Sequence, residues 1–408
     1  MRILLVADGR SPITRHWIRG LLALQHQVWL VSTYPCPPLP EVQETYEIPV
    51  AFASLGGSQV SSYSVSQPNR VRPLVGQFRS LFLSGRYLLG PLTLPLFRNR
   101  YNRLVETIKP DLVHALRIPF EGMLASYTPP EVPLAVSVWG NDLTLHGRGS
   151  PWMQAMTLRT LRRANGLLTD TQRDIRLGRQ WGFYPNRPTL VVPGSGGIDL
   201  GEIHRARTES SDTLAGLLPA GVPIVVNPRG FRPGSVRNDI FFQSIPMVLE
   251  RRPKVYFMCV AMTGQPEALG WVQRLKLEPY VQLLPFLPQA QLWDLFFRAD
   301  ISVSVSAHDG TPNSLLETMA CGCFPIAGDI ESLREWIIPG INGLLVEPNK
   351  AQALAEALLL ALERPGLRKR AAERNLEIIR QRAEVNLVRS QIQVFYQRLL
   401  DSLAPRPT

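Results

Sequence analysis

The stretch from residue 301 to 327, ISVSVSAHDGTPNSLLETMACGCFPIA, compresses a strand, a polar loop, a helix start and two spaced carboxylates into 27 residues. Residues 301–306 alternate Ile and Val with Ser, a β pattern, and residues 307–310 form a polar loop of the kind that ends strands. Thr311 reads as an N-cap and Pro312 as the first helical residue, where a missing N–H costs nothing. The free backbone donors beyond Thr311 then point back at the loop and make an anion site. Asp309 precedes this helix and Glu317 lies about one and a half turns inside it, so the two cannot share a helix face and must do separate jobs. Gly322 suits the left-handed position after the helix, and residues 324–327 resume an apolar strand. The expected unit is strand, helix, strand, forming the floor of a site.

At 408 residues the chain exceeds one ordinary core, which points to two domains or more. A hydrophobic content of 45% excludes disorder. The four cysteines, Cys36, Cys259, Cys321 and Cys323, have neither CxxC spacing nor a secretory signal before them. That usage predicts reduced thiols in a cytoplasmic compartment. No cluster with metal-ligand spacing is visible, so no metal is expected. The charge of +11 is lopsided: residues 1–200 hold 21 Lys and Arg against 12 Asp and Glu, a net of +9, whereas residues 201–408 hold 23 against 21. A basic first half suits anionic lipid, a phosphorylated substrate or nucleic acid, and charge alone does not choose among them.

The first half reads as one α/β domain. Residues 2–7 (RILLVA) form a buried strand, residues 13–24 have helical apolar spacing, and residues 27–31 form a second strand. This βαβ unit puts the loop 8–14 at the carboxyl edge of the sheet, where such proteins bind ligands. The loop is not GxGxxG, so a dinucleotide fingerprint is absent. Asp8, Arg15 and His16 are candidate acceptor-binding groups there. Residues 33–75 look like a long loop or insertion. Residues 70–103 interleave seven arginines with apolar runs, but the apolar run 87–97 is short and carries Pro91 and Pro95. It cannot span a bilayer; its composition suits a membrane surface or an acceptor groove. Strands at 111–115, 134–138 and 166–169 continue the sheet. Their polar ends bring His114, Arg117, Trp139, Asn141 and Asp142 toward the same edge as Asp8.

The glycine-rich VVPGSGGIDL at 191–200 reads as a connector, placing a boundary near residue 200. Beyond it strands at 224–226, 255–261, 281–284, 301–306 and 343–346 alternate with helices, a second doubly wound sheet. Helices at 351–362, 368–380 and 384–400 close the chain.

The run Asp309-Gly-Thr-Pro-Asn-Ser-Leu-Leu-Glu317-Thr-Met-Ala resembles the E-x7-E motif of retaining GT-B glycosyltransferases, especially glycosyltransferase family 4. Four further stretches agree in order: the N-terminal strand with ADGRSPITRHW, VSVWGNDL at 136–143, VPGSGGIDL, and NPRGFRPGSVRND at 227–239. The resemblance implies two Rossmann-like doubly wound parallel-sheet domains facing across a cleft. It implies an acceptor-side domain at 1–200, a nucleotide-sugar domain at 201–383, and a final helix at 384–408 packing back on the first domain.

It also implies roles. Glu317 is similar in position to the carboxylate that holds the ribose hydroxyls, and Asp309 to the one facing the donor sugar. Gly310, Thr311, Pro312, Asn313, Ser314 and Leu315 would meet sugar hydroxyls or phosphate, and Leu287 would lie beside the base. Arg229 and Arg237 would neutralise the diphosphate, with His114 completing the catalytic set and Asn141 and Asp142 joining the acceptor side. The expected reaction is metal-independent transfer from a nucleotide-diphosphate sugar to a saccharide or lipid-linked acceptor, with front-side attack and retention, and no cofactor beyond the donor. An anionic membrane surface is a further expected partner, peripheral on the inner face of the membrane; nucleic acid is not, because stacking motifs and a recognition helix are lacking. The sequence departs from the family pattern in four places: Asp309 for Glu, Arg237 for Lys after a two-residue insertion, Leu116 for His, and Trp139 for His. The second reading is a nucleotide-sugar-binding or scaffold protein with a weakened site.

Overall fold

The computed structural model describes residues 1–53, 73–209, 219, 221–232 and 234–403, with backbone alone for 73–84. Arg70, Arg72 and the rest of residues 54–72 of the expected long loop lie outside the described residues. The chain divides into two compact units, residues 1–197 with the C-terminal stretch from Val388, and residues 198–387.

The first unit holds strands β1 (Arg2–Ala7), β2 (Gln27–Ser32), β3 (Thr45–Glu47), β4 (Leu112–Ala115), β5 (Leu134–Val138), β6 (Gly166–Thr169) and β7 (Thr189–Val191). They form one sheet in the order β3-β2-β1-β4-β5-β6-β7, and every pair is parallel. Because successive strand residues face opposite sides, each strand feeds two cores. Leu4, Val6, Val113 and Val136 pack with Leu94, Tyr101 and Val105 of one helix. Ile3, Leu5, Leu112 and Ala135 pack with Trp17 and Leu21, and with Ile392, Phe395, Tyr396 and Leu399 of the last helix, Val385–Leu403. β3 and β7 are three-residue strands inside stretches with no alternation long enough to register, and sequence reasoning misses both.

The segment carrying Pro91 and Pro95 is a single helix, Pro73–Ile108. Proline there removes the N–H that would bond the carbonyl four residues back. The Tyr87 carbonyl, orphaned by Pro91, accepts instead from the Ser150 hydroxyl at 2.7 Å. A partner distant in sequence thus lets the helix run on where the local pattern reads as broken.

The second unit holds β8 (Ile224–Asn227), β9 (Tyr256–Cys259), β10 (Val281–Leu283), β11 (Ile301–Ser304), β12 (Phe324–Gly328) and β13 (Leu344–Val346). Their order is β10-β9-β8-β11-β12-β13, again all parallel. Strand order reverses between β1 and β4 in the first sheet and between β8 and β11 in the second. Those two crevices at the carboxyl ends are where doubly wound sheets take ligands.

Candidate functional site

In the second unit the crevice is built by two loops laced together. β8 ends at Asn227, whose side chain donates to Asn238 Oδ1 at 2.9 Å and accepts the Arg229 N–H at 3.1 Å. Those bonds aim the Arg229 guanidinium across to the loop after β11, where it meets the Asp309 carboxylate at 2.5 Å. Asp309 also accepts from the Ser306 hydroxyl at 3.1 Å and the Gly310 N–H at 3.0 Å. Main-chain bonds from Arg237 to Val305 and from Ala307 to Ser235 tie the loops along their length. Gly328 makes room for this: a Cβ there would stand 2.1 Å from the Ser306 carbonyl oxygen.

Three polar atoms of these elements are buried without a hydrogen-bond partner: Arg229 Nε, Ser304 Oγ at the end of β11 and Ser314 Oγ in the first turn of the helix that follows the loop. Buried polar groups are almost always satisfied, so three orphans at one switch point suit a polyanionic, hydroxyl-bearing ligand. Arg237 is differently placed. Its guanidinium pairs with Asp239 at 2.7 Å and also donates to Asn349, on the more exposed side of the loop.

The helix following the loop is Asn313–Cys321, one residue later than Thr311 as N-cap would give. Pro312 keeps an extended ψ of 128°, so it caps rather than starts the helix, and Thr311 accepts the Trp336 indole N–H at 2.8 Å. Gly322 closes the helix with φ 88°, the expected left-handed residue. Glu317 is half-buried and accepts from Gln289 at 3.0 Å; burial pushes its carboxyl up to about 7, with the Gln289 bond pulling the other way. Asn313 and Ser314 lie in the first turn beside the loop. Leu315 and Leu287 do not offer their side chains: both are buried in the core with Trp293 and Leu316.

The first unit's crevice also differs from expectation. His114 is not at the sheet edge; it is fully buried, its ring nitrogens bonded to Tyr396 at 2.7 Å and Ser137 at 2.9 Å, with Trp17 edge-on at 5.1 Å. Burial drives its pKa down to about 3, so it stays neutral and fastens the last helix to the sheet. Asp142 is likewise buried. It bonds Arg117 at 2.6 Å and the Ile118 and Trp139 N–H groups at 3.2 Å, which makes it a loop clasp with both oxygens spent. Asp8 is held by Arg10 through two side-chain bonds of 3.0 Å. Asn141 supports the same loop through its carbonyl, which accepts from Leu145 and His146. Arg15 is exposed, and His16 lies against Gly196 of the glycine connector.

Apart from Arg117, sequence reasoning missed the groups that this edge gathers. Arg86 lies 4.8 Å from the Tyr34 ring centroid and 4.5 Å from that of Phe120, and its Nε and that of Arg117 are buried without partners. Buried Glu121, bonded to Thr33 at 3.1 Å, is pushed up to about 7 by its burial, against the pull of Arg117. Phe120 beside it adopts φ 67°, rare for a side chain of that size, and its ring packs on Gly90. The residues come from three separated segments, so no local pattern announces the cluster. Among the described residues no three His, Cys, Asp or Glu side chains gather in a way that could hold a metal ion.

Residues 241–377 match the family described as Glycosyl transferases group 1. A D-inositol 3-phosphate glycosyltransferase of Thermobispora bispora is 26% identical over 191 residues, 44% of each chain. The chain's match spans about half the length of the curated relatives. Among solved structures, sucrose-phosphate synthase from Thermosynechococcus elongatus superposes with a TM-score of 0.71 at 17% identity, over 98% of this chain and 100% of that one. The Anabaena protein HepE, solved in complex with UDP, gives 0.68 at 17% identity over 97% and 100%. At these identities the structures show the fold, the GT-B arrangement of two Rossmann-like sheets.

Proposed function

We propose that this chain, a GT-B protein of the glycosyltransferase family 4 type, transfers a sugar from a nucleotide-diphosphate donor to a saccharide or lipid-linked acceptor, with retention and without a metal. The observation that carries the reading is the β8–β11 switch point. There a buried arginine, two unpartnered hydroxyls and a half-buried carboxylate all belong to β8, β11 and the loops and helix that follow their carboxyl ends.

Each group has a task in that reaction. Arg229 stabilises the diphosphate as the glycosidic bond lengthens and negative charge collects on the leaving phosphate; in a site closed to bulk water such a preorganised cation acts more strongly than in solvent. Asp309 holds that guanidinium in place before the donor arrives and faces the sugar afterwards. Arg237 supplies a second cation from the outer side of the loop, and its planar fork suits phosphate. Ser314 and the first turn of its helix receive phosphate or sugar oxygens. Glu317, one and a half turns further in, accepts the ribose hydroxyls. The departing phosphate, on the same face as the incoming hydroxyl, is the base for the acceptor. The first unit's arginine-lined edge takes the acceptor. Four free, buried cysteines fit a reducing, cytoplasmic setting.

The test is release of nucleotide diphosphate from a panel of donors with saccharide acceptors supplied. Turnover that disappears in Arg229→Ala supports the transferase. Tight donor binding with no release in any pairing supports the second reading, a nucleotide-sugar-binding protein, which the saturation of Asp309 by Arg229, Ser306 and Gly310 favours.

A further inference from the structure

Among the described residues, four of the twelve large apolar side chains most open to solvent gather on one helix. Leu88, Leu89, Leu92 and Leu96 are exposed by 52, 49, 46 and 80%, and all belong to the helix Pro73–Ile108. On an α-helix residues four and seven apart share a face. Leu88, Leu92, Leu96 and Arg100 recur every four residues; Leu89, Leu96 and Arg103 recur every seven. Both apolar rows therefore run into an exposed arginine. The inward side of the helix is already occupied, with Gly90, Leu94 and Tyr101 buried in the unit's core. No Asp or Glu occurs between residues 73 and 105. A half-exposed tryptophan joins the apolar end: Trp152 follows two residues after Ser150, whose hydroxyl bonds the Tyr87 carbonyl.

We infer that this face of the Pro73–Ile108 helix docks the protein on an anionic lipid surface, with the leucine rows entering the acyl boundary and Arg100 and Arg103 on the headgroups. A protein partner would need acids to meet the arginines and a matching apolar groove. A membrane offers both chemistries at fixed depths: apolar chains below, anionic headgroups above, and a headgroup layer where tryptophan rings settle. With the helix lying along the surface, Arg100 and Arg103 continue the leucine rows on the same face, and their long side chains reach up to the headgroups. No helix among the described residues is long and apolar enough to cross a membrane, so the contact is lateral. It stands independently of the transfer reaction.

The experiment is sedimentation of the full chain with vesicles of phosphatidylcholine and phosphatidylglycerol in roughly equal amounts, against phosphatidylcholine alone. The expected result is binding to the anionic vesicles that falls with added salt, and that drops roughly tenfold in Leu92→Ser/Leu96→Ser. Arg100→Gln/Arg103→Gln should lose several-fold of the anionic preference while keeping residual binding to neutral vesicles. All four positions are on the surface, so unchanged thermal unfolding accompanies both variants. Binding equal in the wild type and the serine variant overturns the inference. So does absence of binding to any vesicle, or a dimer in sedimentation equilibrium that the serine variant dissociates, since the face would then belong to a second copy.

Discussion

The two sheet edges use the same residue types to opposite ends. In the first unit the carboxylates are consumed at home: Asp142 by Arg117 and two backbone donors, Asp8 by Arg10. In the second, the Ser304 and Ser314 hydroxyls are buried without a partner and Glu317, among the described residues, accepts one hydrogen bond, from Gln289; a buried Nε left unpartnered is common to both edges, on Arg229 here and on Arg86 and Arg117 there. A charged group whose valences are all met by its own fold holds that fold. A buried group left short is available to a ligand. The comparison can be broken by mutation, because it assigns stability to one set and turnover to the other.

The largest expected effect is on the structural side. Asp142→Ala leaves Arg117 and two loop N–H groups without their acceptor and should cost about 3 kcal/mol of unfolding free energy, read by denaturant titration. Stability within error of wild type would show that the clasp holds nothing. Next comes Arg229→Ala, expected to lower turnover by roughly 10²- to 10³-fold; it also leaves Asp309 without its cation, so turnover is read on protein whose unfolding midpoint shows it folded. Arg10→Ala, the matched cation of the first unit, should lower it far less. If the two arginine variants fall together, the contrast between the edges fails.

A smaller effect tests the last helix. Tyr396→Phe removes one of the two partners of buried His114 and should cost about 1–3 kcal/mol. The same histidine gives a pH signature. Its folded pKa lies near 3 because burial disfavours the cation, whereas the unfolded chain takes up the proton at about 6.5. The stability it supports is thus present above pH about 6.5 and lost as pH falls toward 3. His114→Asn should flatten that part of the stability profile. A profile unchanged by the substitution would remove His114 from the acid response.

How far the sequence carried depends on the range of the interactions. The strand, loop, helix and glycine stop between residues 301 and 322 were legible because each is set by its neighbours, and only the cap slid by one residue, where Trp336 claims Thr311. The long helix was hidden behind two prolines because its repair comes from Ser150, tens of residues away. His114 looked like an edge residue because a four-residue strand does not reveal that a tyrosine near the chain's end lies against it. Leu287 and Leu315 sit within the right motif, but motif spacing fixes position and leaves side-chain direction to packing. The Arg86, Tyr34 and Glu121 cluster draws on three separated segments and had no local signal at all.

The finest effect belongs to Glu317 and separates a ligand-binding carboxylate from a merely polar one. Burial holds its pKa near 7, so close to neutrality a fraction of the molecules carry it protonated. A hydroxyl donates well to a carboxylate and poorly to a carboxylic acid, so a ribose held by Glu317 favours the ionised form. Affinity for uridine diphosphate, used as the probe nucleotide, should therefore weaken as pH drops from about 8 to about 6, by up to about tenfold per unit below the pKa. Titration calorimetry across that range reads it directly. Glu317→Gln should bind more weakly than wild type at the alkaline end and show no slope, because the amide keeps the shape and loses the titration. A slope that survives in the glutamine variant would move the titrating group elsewhere, and a wild-type affinity flat across the range would take Glu317 away from the ribose.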